Sequence, residues 1–293
     1  VSDPHALFHE SASAIEALPP LREVIAAHAL SAQKALGQNF LLDLNITDKI
    51  VRTAQEKTSK NFEGVNVFEI GPGPGGLTRS LLKSKARKVT AIEFDFRAVE
   101  ALKSLKEVAG DRLEIIQKDA LETDLTGLSE GPRAIVANLP YNIATPLLVD
   151  WLKQIRSDES AFQSMTLMFQ KEVAQRIVAP SGGKAFGRLA VISQWLCGVH
   201  ILFDLPPSAF TPPPKVTSSV VHFTPKDLAF DVPTFENVEQ VTAAAFNQRR
   251  KMIRSSLKAY MEAIESLGLD PQARAENLSV ADFIAIAGLD KKR

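Results

Sequence analysis

The residues whose types most narrowly fix a chemistry are Asn138-Leu139-Pro140-Tyr141. Pro140 has no N–H to give a sheet ladder, so a strand that reaches it must turn away. Such a turn aims the Asn138 side-chain oxygen and the Leu139 carbonyl at one point. Two acceptors at one point suit an exocyclic amino group, which carries two N–H donors, and Tyr141 adds a face on which a planar base stacks. An aromatic amine is a poor nucleophile because its lone pair is delocalised into the ring. Acceptors that draw its hydrogens out of the ring plane localise that pair toward an electrophile, with no strong base required. Such a site works by orientation and electrostatic complementarity. Taken by itself, the tetrapeptide also reads as an ordinary β-turn carrying a half-buried tyrosine.

A second group lies upstream. Phe68-Glu69-Ile70-Gly71-Pro72-Gly73-Pro74-Gly75-Gly76-Leu77-Thr78 follows an apolar run and opens a helix-like one. Glycines there let the backbone approach a ligand, and the helix start offers free N–H groups. Gly71, Gly73 and Gly76 satisfy the dinucleotide pattern G-x-G-x-x-G, which alone is weak. Three acids at successive strand ends sharpen it: Glu69 before the loop, Glu93 after the second strand and Asp119 after the third. A strand-end acid is often only a helix cap or a solvated rim residue. Glu93 is placed to accept ribose hydroxyls and Asp119 the amino hydrogen of an adenine, while a dinucleotide needs neither Glu69 nor Asp119. A ligand with a cationic amino-acid end, a ribose and an adenine uses the whole edge, and S-adenosylmethionine is that ligand.

The elements that must hold these groups follow from periodicity. Short apolar runs at Val65–Ile70, Lys88–Ile92, Leu113–Ile116, Ala134–Ala137 and Met165–Phe169 read as buried parallel strands, separated by amphipathic stretches such as Leu77–Leu82 and Phe96–Leu105. Alternation of this kind implies an α/β, doubly wound, mostly parallel Rossmann-like sheet. Ile201–Phe203 and Val216–Phe223 close it as a hairpin-like pair, and from about Val238 to Leu289 the pattern is helical. The expected organisation is an N-terminal extension over 1–36, a catalytic domain over 37–225 and a small all-α domain over 226–293. Leu21–Ala29 is amphipathic enough to pack on the sheet or to touch RNA.

At this point the sequence resembles the ribosomal RNA adenine N6-dimethyltransferases that modify small-subunit RNA, over nearly its whole length. Gly37-Gln38-Asn39-Phe40-Leu41 looks like that family's N-terminal cofactor motif and Asn138–Tyr141 like its amino-methylation motif. Phe169-Gln170-Lys171-Glu172-Val173, Gly187-Arg188-Leu189 and Phe210-Thr211-Pro212-Pro213-Pro214-Lys215-Val216 look like its later signatures. The resemblance implies two successive methylations on each of two adjacent adenines near the 3′ end of 16S RNA, with S-adenosylmethionine as donor and the immature 30S subunit as partner. With the reading above it gives a candidate cofactor set of Gln38, Asn39, Leu41, Glu69, Gly71, Gly73, Glu93, Asp119, Ala120 and Asn138. Asn138, Leu139, Pro140 and Tyr141 would engage the target base, with Phe210 as a second aromatic wall or a core residue. A base reaching such a pocket must leave its stack.

The run Phe246 to Lys258 carries Arg249, Arg250, Lys251, Arg254 and Lys258 and no acid. On one helix Arg250, Arg254 and Lys258 form a stripe, with Phe246, Ile253 and Leu257 pointing elsewhere. A solvated face is the plain reading; the family's similar C-terminal run favours RNA. Lys83, Lys85, Arg87 and Lys88 form a second cluster, either phosphate contacts or a charged helix end. His5 and His9 are four residues apart without a further ligand nearby, and the other histidines are scattered, so no metal site is expected.

Composition sets the outer bounds. With 293 residues, 45% apolar and 23% charged, the chain is of ordinary globular make-up, neither disordered nor fibrous. Its 34 basic and 34 acidic side chains cancel, so a nucleic-acid partner must be met by local patches. No run approaches a membrane span. A single cysteine, Cys197, excludes an internal disulfide and reads as an inert buried thiol. The acidic start lacks the marks of a secretion signal or a mitochondrial presequence, so a cytoplasmic location is expected, and Val1 reads as a processed or trimmed start. The expected partner state is a monomer. Three rivals stay open: a large-subunit RNA methyltransferase conferring antibiotic resistance, a non-catalytic RNA-binding assembly factor, and an NAD-linked oxidoreductase.

Overall fold

The computed structural model describes residues 13–30, 38–228 and 233–289. Its central sheet has seven strands: β2 (Asn66–Ile70), β3 (Lys88–Glu93), β4 (Leu113–Gln117), β5 (Arg133–Ala137), β6 (Ser164–Gln170), β7 (Cys197–Leu205) and β9 (Ser218–Pro225). They lie in the order β4-β3-β2-β5-β6-β9-β7. The pairs β4–β3, β3–β2, β2–β5 and β5–β6 are parallel, as the uninterrupted apolar runs require. Every residue of β2 is buried, whereas the edge strand β4 is half-exposed beyond Leu113.

The chain starts in the middle of the sheet with β2, runs outward through β3 and β4, then returns to β5 on the other side of β2. The gap above the carboxyl ends of β2 and β5 is therefore the switch point at which open α/β sheets bind ligands. The glycine turn leaves β2 there and the Asn138 turn leaves β5 there.

Helices lie between the parallel strands: α2 (Leu44–Lys57) before β2, α3 (Gly76–Leu82) after it, α4 (Phe96–Ala101) and α5 (Lys103–Ala109) before β4, and α6 (Tyr141–Ser157) after β5; α3, α4 and α5 pack on the sheet. A short N-terminal helix, α1 (Leu21–Ala27), precedes them. Ile15, Leu41, Val67, Leu81, Val89, Val136, Phe210 and Val220 belong to one buried core cluster.

Several features depart from the expected elements: β7 runs from Cys197 to Leu205 and not only over Ile201–Phe203, and the stretch Phe96–Leu105 divides into α4 and α5. Phe40–Leu41 (β1) and Phe210–Thr211 (β8) pair antiparallel as a separate two-stranded ladder, with Leu41 opposite Phe210. The closing strand begins at Ser218, not Val216, and lies beside β7 as expected.

By contact the chain divides into two compact units. The first comprises 1–149, 160–171 and 201–222; the second 150–159, 172–200 and 223–293. In the second, α7 (Lys171–Val178, from its second residue), α8 (Arg188–Leu196), α9 (Phe235–Asn247), α10 (Ile253–Ser256), α11 (Met261–Ser266) and α12 (Val280–Leu289) supply the helices. The rings of Phe246 and Phe283 lie 5.4 Å apart and those of Phe186 and Phe246 6.1 Å apart. Ile253 and Leu257 are fully buried, as their spacing implied. Cys197 is buried too, and burial pushes its thiol up to about 12, which removes it as a nucleophile. No helix among the described residues is long and apolar enough to cross a membrane.

Candidate active site

A cavity of about 200 Å³ opens in the first unit at the switch point. Its walls come from the motif before the first sheet strand (Gln38 to Leu41), the glycine turn (Glu69, Gly71 to Pro74, Gly76, Leu77), two strand ends (Glu93 and Phe94; Asp119 and Leu121) and the elbow (Asn138 to Ile143). Five stretches of sequence, the outermost about 100 residues apart, thus face one space.

The glycine turn is shaped by what lies against it. Gly71 donates its N–H to Ile92 O at 2.9 Å, extending the β2–β3 ladder by one bond before the chain turns. At Gly73, φ is +54° and a Cβ would stand 2.8 Å from the Phe40 ring; at Gly76 a Cβ would stand 2.5 Å from the Leu41 carbonyl. Side chains at either position would push β1 off the turn. Gly71 faces the elbow instead, with the Pro140 ring 3.7 Å from where its Cβ would be.

Glu93 is fixed by two backbone donors: Gly73 N–H to Oε2 at 3.1 Å and Asp95 N–H to Oε1 at 2.9 Å. Burial raises its pKa, and the two N–H groups oppose that rise. Asp95 caps α4 through Arg97 N–H at 3.0 Å and pairs with the Arg97 guanidinium at 2.6 Å. Arg97, followed by a Gln38 side-chain bond, draws the Asp95 carboxyl below its ordinary value against a smaller cost of burial.

Glu69 is different. It is 1% exposed, lines the cavity, and its Oε2 finds no hydrogen-bond partner among the described residues. Burial pushes its pKa up to about 8; the Thr78 hydroxyl pulls it down and Glu93 adds to the rise. Desolvation is the largest of these effects and outweighs the pull of Thr78. A buried carboxyl oxygen that faces a cavity without a partner among the described residues is an acceptor waiting for a cation or a donor.

Asp119 lines the cavity and also caps the turn 120–122, accepting from Leu121 N–H at 2.9 Å. Asn138 donates from Nδ2 to the Asn39 carbonyl at 2.9 Å, which leaves Oδ1 as its free acceptor. The strand ends at Ala137, three residues before Pro140, and the Pro140 carbonyl accepts the first bonds of α6 from Ile143 and Ala144 at 3.1 Å. Tyr141, half-buried at the start of α6, shares a 2.5 Å hydrogen bond with Ser218 of β9. Burial raises its phenol pKa, with Ser218 opposing. The ring is thereby held at its far end.

Two candidates are not brought to this space. Phe210 is 3% exposed and sits in the core beside Leu41, where β8 places it; it does not line the cavity. Ala120 turns into the short 120–122 helix and is also absent from the walls. Conversely, Phe94 (63% exposed) and Leu121 (49% exposed) line the mouth although the motifs did not single them out. Each directly follows, or stands two residues beyond, a strand-end acid; a bulky apolar residue in such a polar turn was the available signal.

The single basic stripe is not formed. Helix α9 ends at Asn247, residues 248–250 turn, and α10 restarts at Ile253. The break comes from outside the segment: Ile253 and Arg254 N–H donate to Ala273 and Pro271 carbonyls at 2.8 and 3.0 Å. All five basic residues are exposed, yet Arg249 also donates to the Lys184 and Phe186 carbonyls, the latter at 2.8 Å. In the second cluster Lys83 pairs with Asp48 at 2.8 Å and Lys88 with Glu114 at 2.6 Å, which cancels much of its charge. Among the described residues no group of three or more His, Cys, Asp or Glu is placed to hold a metal; His5 and His9 lie outside them.

With this geometry in hand, comparison with known proteins is specific. Residues 29–291 match the family described as Ribosomal RNA adenine dimethylase. A protein of Rhodospirillum rubrum named Ribosomal RNA small subunit methyltransferase A is 53% identical over 275 residues, 93% of this chain and 92% of that one. One of the same name from Azorhizobium caulinodans is 54% identical over 283 residues, 94% of each. The crystal structure of a dimethyladenosine transferase from Plasmodium falciparum matches with a TM-score of 0.70 at 27% identity, covering 83% of this chain and 94% of its own. The 23S rRNA methyltransferase ErmE shares the fold, with a TM-score of 0.64 at 24% identity over 86% of this chain and all of its own. The chain therefore belongs to the ribosomal RNA adenine dimethylase family.

Proposed function

We propose that this protein dimethylates the N6 amino groups of two adjacent adenosines in a loop near the 3′ end of small-subunit ribosomal RNA, with S-adenosylmethionine as methyl donor. The observation that carries the reading is that the Asn138–Tyr141 elbow opens into the same cavity as Glu69, Glu93 and Asp119. That donor supplies a methyl group on a positively charged sulfur. Its parts fit the walls: Glu69, whose Oε2 has no partner among the described residues, suits the amino-acid ammonium, Glu93 the ribose hydroxyls and Asp119 the adenine amine. Gly71 and Gly73 keep the turn low enough for close approach.

The elbow does the rest by orientation. Asn138 Oδ1 and the Leu139 carbonyl accept the two amine hydrogens of the flipped adenine, and Tyr141 stacks on its ring. Drawing those hydrogens out of plane localises the nitrogen lone pair, and after attack the surplus proton leaves to solvent. No titrating base is needed, and none lies in the elbow. After one methyl is added the amine keeps one N–H for these acceptors, which permits the second transfer. Arg250, Lys251, Arg254 and Lys258 in the helical C-terminal segment contact RNA phosphates. The protein works as a cytoplasmic monomer on the immature small subunit.

The test is transfer of tritium from labelled S-adenosylmethionine to under-methylated small subunits, with large subunits in parallel. Label on the small subunit alone is expected. Label on the large subunit favours the resistance-type reaction, and no label at all favours a non-catalytic assembly factor. Binding of NAD in place of S-adenosylmethionine would point to an oxidoreductase.

A further inference from the structure

The N-terminal segment 13–30 packs where it bears on the cavity. Ile15, Leu21 and Leu30 are 2%, 4% and 1% exposed. Leu21 Cδ1 lies 3.1 Å from the place a Cβ would take on Gly76, so it rests against the start of α3. Val24 and Leu30 form a separate buried cluster with Ala98 and Ala101 of α4. Both helices open directly out of the cavity walls, α3 from the glycine turn and α4 from the Glu93–Asp95 turn.

Two arginines on those helices grip carbonyls of the segment. Arg79, itself 5% exposed, donates to Pro19 O at 2.8 Å. Arg97 donates from Nη1 to Ala29 O at 3.1 Å while its Nε and Nη2 hold Asp95 at 3.0 and 2.6 Å. A planar guanidinium has donors enough to do both at once, and doing so fixes its orientation. Asp95 in turn presents its N–H to Glu93 Oε1 at 2.9 Å. A continuous line of hydrogen bonds thus joins the segment to the cavity acid: Ala29 carbonyl, Arg97, Asp95, Glu93. Ala29 sits at φ +49°, a conformation an alanine adopts only when its surroundings impose it.

We propose that the N-terminal segment is a positioning element of the cofactor site, holding the Glu93 carboxylate in place through Ala29, Arg97 and Asp95. Arg97 is a positioning residue here, one step removed from the ligand, and the segment supplies the fixed point against which it is oriented. The inference rests on the methyl-donor reading of the cavity, and on Glu93 as its ribose acceptor.

The test is calorimetry of S-adenosylhomocysteine binding to the full chain. Failure of the wild type to bind would sink the methyl-donor reading itself. If the wild type binds, Arg97→Ala is expected to raise Kd about tenfold, and Arg97→Lys, which can pair with Asp95 but not hold Asp95 and the Ala29 carbonyl together, to restore only part of that loss. In a Glu93→Gln background the same Arg97→Ala change should cost no more than twofold, because the carboxylate it steadies is gone. Equal losses in both backgrounds would show only general destabilisation and overturn the proposal, as would unchanged binding by Arg97→Ala. The segment's own part is read from Val24→Ala with Leu30→Ala, whose side chains cluster with Ala98 and Ala101 of α4: Kd should rise several-fold, and wild-type affinity would overturn it.

Discussion

Asn138 and Asn39, 99 residues apart in sequence, are joined by a 2.9 Å hydrogen bond from Nδ2 to the carbonyl. That bond decides which end of the Asn138 amide is left for substrate. With nitrogen committed to Asn39, oxygen is the free group, and an acceptor is what an adenine amine requires. Asn138→Asp would set an oxygen against the Asn39 carbonyl. We expect single-turnover methyl transfer to fall about 100-fold or more, with S-adenosylhomocysteine affinity changed only a few-fold. A variant retaining wild-type transfer would remove Asn138 from the chemistry.

Tyr141 separates ring from hydroxyl. Tyr141→Phe keeps the stacking face but leaves Ser218, which is fully buried, without its partner at 2.5 Å. A stability loss of about 1–3 kcal/mol is expected, read by denaturant titration, with transfer reduced modestly. Tyr141→Ala should instead abolish most transfer. Equal activity of the two variants would mean the ring does not stack on the base.

Glu69 gives the cofactor-free protein a pH dependence of definite sign. Its folded pKa, about 8, lies above the ordinary 4.5. The unfolded chain therefore gives up this proton first. The stability it contributes is full below about pH 4.5 and is lost as pH rises toward 8. Glu69→Gln, neutral throughout, should flatten that part of the curve and leave the variant the more stable protein at pH 8. Parallel melting curves for the two proteins from pH 5 to 8 would contradict the assignment.

Ala29 closes helix α1 with Leu30 N–H on Ile25 O at 2.9 Å and Ala29 N–H on Ala26 O at 3.3 Å, a helix end that glycine suits best. Ala29→Gly should relieve the φ of +49° and raise stability by about 0.5–1 kcal/mol, seen as a higher Tm. A lower Tm would mean that the left-handed conformation carries no strain here.

Arg249 and Arg250 are neighbours with different duties. Arg249 serves the Lys184 and Phe186 carbonyls, so Arg249→Ala should lower Tm. Arg250, exposed, should leave Tm unchanged when replaced by alanine and reduce the salt dependence of RNA binding by about one counterion. A fall in Tm without loss of RNA affinity for both would assign the run to structure alone.

The sheet was legible because parallel strands buried on both faces are continuous apolar runs, and Glu69, Gly71, Glu93 and Asn138 sit at their ends. What stayed hidden depends on contacts between distant segments. Two-residue strands such as Phe40–Leu41 and Phe210–Thr211 have no period to detect, so the role of Phe210 as core partner of Leu41 emerged only in three dimensions. The Arg250–Lys258 stripe failed because carbonyls of Pro271 and Ala273 claim the N–H groups of Arg254 and Ile253, which no local pattern records. The packing of Leu21 and Val24 on α3 and α4 shows only in three dimensions, as does the Arg97–Asp95–Glu93 line.

The most direct test is to incubate the protein with S-adenosylmethionine and small subunits lacking the modification, then count methylated nucleosides in the RNA by mass spectrometry. Two N6,N6-dimethyladenosines per small-subunit RNA, at adjacent positions near its 3′ end, are expected. Methylation of a ring nitrogen, of ribose or of no adenosine at all would contradict the account.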